Sequence, residues 1–140
     1  MMIVVAGVSR SGGEKVLIEA IARAADLGAD LHVVYVLPVG TYGLFELELA
    51  ERVGIPVQLD YFRDLSESIA NSVAEPLADD YVPVGLIGKP EAQLLEYADT
   101  VDADLIVIDA NSARDGGFLG VFGGSMDELR ESEIPVVTVP

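Results

Sequence analysis

The chain has 140 residues, a hydrophobic fraction of 51% and a mean hydropathy of +0.41, which excludes a disordered polymer and suits one domain with a buried core. Twenty-four acids against eight bases give a net charge of −16, a field that repels nucleic-acid backbones and anionic membranes. The lack of cysteine excludes disulfides and thiolate chemistry, the single His32 leaves no histidine cluster for zinc, and no apolar run reaches the ~20 residues of a membrane span.

Met2 to Ala6 is continuously apolar, as expected of a strand buried on both faces. It lacks the basic region of a signal peptide, which predicts a cytoplasmic protein. Gly7 to Gly13 is a polar turn containing Val8, Ser9, Arg10 and Ser11. Glu14 to Leu27 follows, with Val16, Leu17, Ala20, Ile21, Ala24 and Leu27 at helical spacing and Gly28 as the stop. Leu31 to Leu37 is the second strand, ended by Pro38 and Gly40, and the expectation for His32 at its start is a structural or solvent-facing side chain rather than a catalytic one. Phe45 to Val53 is a short helix candidate before Gly54-Ile55-Pro56. Asp60 to Asp79 reads as helix from Leu65, Ile69, Val73 and Leu77 at four-residue steps, with Pro76 kinking or shortening its last turn. Val82 to Ile87 is the third strand. Pro90 opens a helix whose inner face is Leu94, Leu95, Ala98 and Val101. Leu105 to Ile108 and Val136 to Val139 are the fourth and fifth strands, with a helix opened by Ser125 between them.

Strands alternating with helices predict an α/β domain built on a five-stranded, doubly wound parallel sheet with helices on both faces. Ligands of such sheets bind beyond the carboxyl ends of the strands, where the strand order reverses. The candidate loops are therefore Gly7 to Gly13, Pro38 to Tyr42 and Asp109 to Ser125. The last of these carries Gly116, Gly117, Gly120, Gly123 and Gly124 ahead of a helix N-terminus, a natural phosphate cradle. It also carries Asp109 and Asp115, which a phosphate repels.

Several stretches resemble the universal stress proteins, UspA-type domains of the adenine-nucleotide α-hydrolase-like group. They are Gly88-Lys89-Pro90, Leu94-Leu95 with Ala98, Ala103-Asp104-Leu105-Ile106-Val107, Gly124-Ser125 and Ile134-Pro135-Val136-Val137-Thr138-Val139. The resemblance spans the chain apart from Val39 to Asp60, and it implies strand order 3-2-1-4-5. It also implies a site for ATP or AMP near Val8, Ser9, Arg10, Val36, Asp109, Gly123, Gly124 and Ser125. A homodimer is implied as well, formed through Val136, Val137, Thr138 and Val139; an open apolar edge strand would otherwise pair without control.

ATP-binding members of the family carry an acidic residue just after the first strand and a loop G-x-x-G-x9-G-[ST] after the fourth. Here Val8 stands at the acidic position. The opening glycine falls on Asp109 when the strand is aligned, or the two early glycines fall on Asn111 and Arg114 when counted back from Gly124. Only Gly124-Ser125 survives in either alignment. An Asp in place of a close-approach glycine brings a Cβ and a negative charge toward phosphate. At an effective dielectric of about 20 one such repulsion at about 4 Å is worth roughly 4 kcal/mol, or about three decades of affinity. The prediction is that ATP is not held tightly.

The turn Ser9 to Gly13 offers hydroxyls and an arginine ahead of a helix, which can hold a small anion or cap that helix. It is not a Walker A loop, because Gly13-Glu14 stands where Gly-Lys belongs. A phosphorelay receiver is excluded because Gly7-Val8 replaces its acidic pair. No Ser-His-acid set, acid–base carboxylate pair or metal cluster is marked out, so the expectation is a non-catalytic protein. The acids are spread along the whole chain, which reads as adaptation of a cytosolic, halophilic-type surface to high salt rather than as a docking block.

Overall fold

The five apolar runs form strands: β1 (Ile3–Gly7), β2 (Asp30–Pro38), β3 (Val82–Gly88), β4 (Leu105–Asp109) and β5 (Val136–Val139). This is the architecture of a computed structural model that describes residues 2–9, 13–38, 41–54, 59–109 and 133–140. All ladders are parallel and the strand order is β3-β2-β1-β4-β5, so the predicted fold class and order hold. Four helices are described: α1 (Gly13–Leu27), α2 (Thr41–Arg52), α3 (Leu59–Ala74) and α4 (Pro90–Thr100). The helix expected after Ser125 lies outside the described residues.

Side-chain alternation along the strands divides the core into two layers. Val4, Ala6, Val33, Tyr35 and Val107 pack with Val16, Leu17 and Ala20 of α1 and Ala70 and Ala74 of α3. Val5, Val34, Val36, Ile106 and Ile108 face the other way and pack with Leu94 and Ala98 of α4. Because the middles of β1, β2 and β4 are covered on both faces, Val4 to Ala6, Val33 to Val36 and Leu105 to Ile108 carry no charged residue. Pro83, which cannot donate to a ladder, sits in β3 at the sheet edge, where a missing N–H is tolerated.

Two helix readings are corrected. The expected Asp60 to Asp79 helix ends at Ala74, two residues ahead of Pro76, and the chain turns through Glu75–Leu77. Pro76 disfavours the helical conformation of the residue before it, so of the two expected effects, a kink or a shortened last turn, shortening is the one observed. The Phe45 to Val53 candidate begins earlier, at Thr41. The Leu65/Ile69/Val73/Leu77 row is not the innermost face of α3. The buried row is its neighbour, Ser66, Ala70 and Ala74, while Leu65 stays 40% exposed. Small residues let α3 lie directly on β3: a Cβ at Gly85 would stand 2.1 Å from the Glu67 amide nitrogen and 2.4 Å from the Arg63 carbonyl oxygen. The Ser66 hydroxyl completes this contact, reaching the carbonyl oxygens of Tyr35 at 2.8 Å and Leu86 at 2.9 Å.

Candidate functional site

β1 lies between β2 and β4, and the connections leave it in opposite directions, so the crevice beyond its carboxyl end is the switch point of the sheet. The registers fix what meets there. Gly7 pairs with Val34, and Ala6 pairs with Val107. Counting onward on both strands brings Ser9 level with Val36 and Val8 level with Asp109. The structure therefore gathers Val8, Ser9, Val36 and Asp109 at one rim. Arg10, Gly123, Gly124 and Ser125 lie outside the described residues.

The side chains at this rim do different things. Val8 is fully buried among the α1 and α3 contacts, and its amide donates to the Val34 carbonyl at 3.0 Å. Val36 is 2% exposed and packs on the α4 side. The two valines thus point into opposite core layers, and a ligand above the crevice would meet backbone at these positions. Ser9 and Asp109 are half-buried and are the polar groups of the rim. Asp109 closes β4 and pairs with Val139 of β5, which places the carboxylate on the strand end where the family loop starts.

Sequence reading missed a charged pair on the same edge of the sheet. Glu91, in the first turn of α4, is 3% exposed, and one of its oxygens lies 2.7 Å from the Lys89 ammonium. A carboxylate in the first turn suits the helix dipole, and the lysine offsets its burial. Gly88-Lys89-Pro90 is therefore a β-to-α turn that brings its own counter-ion. Its signal in the sequence was a lysine two residues before a glutamate across a helix-opening proline.

His32 lies at the start of β2, away from the switch point, and is half-buried against Tyr97. Its Nδ1 lies 2.5 Å from the Tyr97 hydroxyl, and the rings are tilted at 42° with centroids 5.9 Å apart. Burial lowers the imidazole pKa, the nearby Asp30 carboxylate partly offsetting it. Burial also raises that of the Tyr97 phenol. Both groups are thus held neutral, with the phenol able to donate to the imidazole. Among the described residues no group of three or more His, Asp or Glu side chains is placed to hold a metal ion, and no helix is long and apolar enough to cross a membrane.

The chain was compared with known proteins. The model of the universal stress protein family matches residues 1–140. Among solved structures, a universal stress protein from Archaeoglobus fulgidus is 22% identical with a TM-score of 0.63, over 100% of this chain and 94% of that one. The Archaeoglobus fulgidus universal stress protein in complex with dAMP is 22% identical with a TM-score of 0.60, over 100% and 98%. A universal stress protein in complex with cAMP is 23% identical with a TM-score of 0.59, over 99% and 96%. No curated protein matches the chain.

Proposed function

This chain belongs to the universal stress protein family, and we propose from that premise that it is a non-catalytic, homodimeric stress-response protein of the cytoplasm that does not hold ATP tightly. The observation that carries this reading is Asp109 at the end of β4, level with Val8 across the switch point. Val8 supplies no polar group where ATP-binding members have an acid, and with the fourth strand aligned Asp109 supplies a charge where they have a glycine. Titration calorimetry of the full chain with ATP tests it. The expected result is no saturable binding below ~1 mM for the wild type and a gain of at least about tenfold for Asp109→Gly, set by the charge repulsion removed. Micromolar binding of ATP by the wild type would sink the reading.

A second reading is favoured by the relatives. Two solved neighbours hold adenine nucleotides with one phosphate, dAMP and cAMP. A mononucleotide sets less negative charge against Asp109 than a triphosphate does. The same crevice can therefore serve as an adenine-mononucleotide sensor. Thermal shift with AMP, cAMP and ATP at ~1 mM separates the readings, since a bound ligand raises stability by mass action. Stabilisation by AMP or cAMP without ATP supports the sensor, and no shift with any of the three supports a protein acting through its partners.

A further inference from the structure

A well-formed groove among the described residues is not at the switch point. It lies at the opposite end of the sheet, where the C-terminal ends of α1 and α3 approach the starts of β2 and β3, and it encloses about 520 Å³. That is within the range of roughly 300–1,000 Å³ typical of ligand clefts. We propose that this groove docks a short segment of a partner protein, in which an apolar side chain is flanked by lysine or arginine.

The apolar half of the argument rests on Ala24 and Leu31, which are buried beneath the groove, and on Leu77 and Val82, which line it while remaining 37% and 45% exposed. Large apolar side chains left in water at a concave site are the signature of a covered surface. The charged half has two independent sources. Asp30 at the head of β2 and Asp79 and Asp80 in the turn ahead of β3 stand on two separate segments beside the apolar floor, and among the described residues no lysine or arginine lines the groove. In addition, α1 and α3 both end here and neither has a basic residue in its last turn. Neither negative helix end is therefore complemented by a basic side chain from its own last turn. Carboxylates on separate stretches of the chain suit a segment with charges spaced about an apolar anchor better than a molecule with a single charge.

The groove is also preformed. Gly28 at φ +63° turns the chain out of α1, with the Ala29 amide bonded back to the Ala24 carbonyl at 2.8 Å. On the opposite wall, the Tyr81 hydroxyl donates to the Asn71 side-chain oxygen at 2.6 Å. The same field excludes nucleic acid and anionic lipid. At this groove it also opposes a second copy of the chain as the occupant, since that copy carries the same charge of −16.

Fluorescence anisotropy with a labelled hexapeptide Lys-Arg-Leu-Leu-Lys-Arg, at about 0.15 M NaCl to screen general attraction, tests the proposal. The leucine peptide should bind at least about tenfold more tightly than Lys-Arg-Ala-Ala-Lys-Arg, the factor expected for one buried apolar side chain. The pair Asp79→Asn and Asp80→Asn should cost about tenfold, while Asp60→Asn with Asp64→Asn at the other end of α3 should cost nothing measurable. Circular dichroism melts confirm that each variant is folded. Equal affinity for the two peptides, or equal loss from the two carboxylate pairs, would overturn the proposal. So would octylammonium binding as tightly as the leucine peptide, or a change in the sedimentation of the unliganded protein caused by the groove variant.

Discussion

At Gly85 the backbone of one element meets the backbone of another, and a single methyl group decides whether they can. A Cβ there would collide with the Glu67 nitrogen and the Arg63 carbonyl oxygen, neither of which can rotate away, so Gly85→Ala must push α3 off β3. Overpacking of this kind costs about 1–3 kcal/mol, and strain at the Ser66 hydrogen bonds would add to it. A cost of about 3 kcal/mol lowers Tm by roughly 10 °C in a domain of this size. An unchanged melting curve would show that α3 does not lie on β3 as described. His32 makes a second prediction, because its pKa in the folded chain lies below the ordinary value of 6.5. A lowered folded pKa means that the neutral ring is stabilised, so this contribution is complete above about pH 6.5 and is lost as pH falls toward the folded value. Between pH 7.5 and 5.5 the wild type should lose more Tm than His32→Gln, which keeps an acceptor for Tyr97 but does not titrate. Identical slopes would remove His32 from the pH response.

The elements differ in how much of them could be read before folding. The strands were legible because burial on both faces leaves no room for polar residues, and Val4, Val5, Val34, Ile106 and Val107 record that directly. The inner face of α3 was not. Leu65, Ile69, Val73 and Leu77 stand out by size, whereas the helix presents Ser66, Ala70 and Ala74 to β3, because close approach selects small residues rather than apolar ones. Glu91 was hidden for a related reason: a glutamate in a first turn is usually solvated, and here its contact with Lys89 helps to offset its burial. β5 is the element on which the proposed dimer depends. It is the outer strand of the sheet, and among the described residues no strand pairs with its far side. Ile106 pairs with Val136, and the Ile106 amide donates to the Pro135 carbonyl. The alternation of a parallel ladder then turns the Val136 and Thr138 backbone groups outward. Thr138→Pro deletes one outward donor and leaves the ladder to β4 intact. The expected outcome in sedimentation velocity is a monomer with near-native circular dichroism, and a dimer unchanged by the proline would rule out this edge.

For the molecule as a whole, the governing quantity is the charge of −16. The described ion pairs are few: Arg23–Glu19 and Arg63–Asp60 lie within single helices at the surface, and Lys89–Glu91 is local to one turn. The two exposed pairs, Arg23–Glu19 and Arg63–Asp60, contribute up to about 1 kcal/mol each. Most of the acids therefore act on one another, through a repulsion that folding concentrates by bringing the chain together. Salt shortens the reach of that repulsion, from a Debye length of about 10 Å at 0.1 M to about 3 Å at 1 M. The native state should gain more from screening than the expanded unfolded chain, so Tm should rise steadily as NaCl increases from about 0.1 M to about 1 M. General salting-out would raise Tm as well, and a charge variant separates the two effects. Glu48, Glu51, Asp64 and Asp99 are all exposed, and their amide replacements remove four of the negative charges while leaving the core untouched. If self-repulsion is the cause, the variant melts higher than the wild type at low salt, the curves converge at high salt, and the slope of Tm against salt flattens. Parallel curves for the two proteins would assign the salt response to solvent exclusion and would leave the acidic surface without a role in adaptation to high salt.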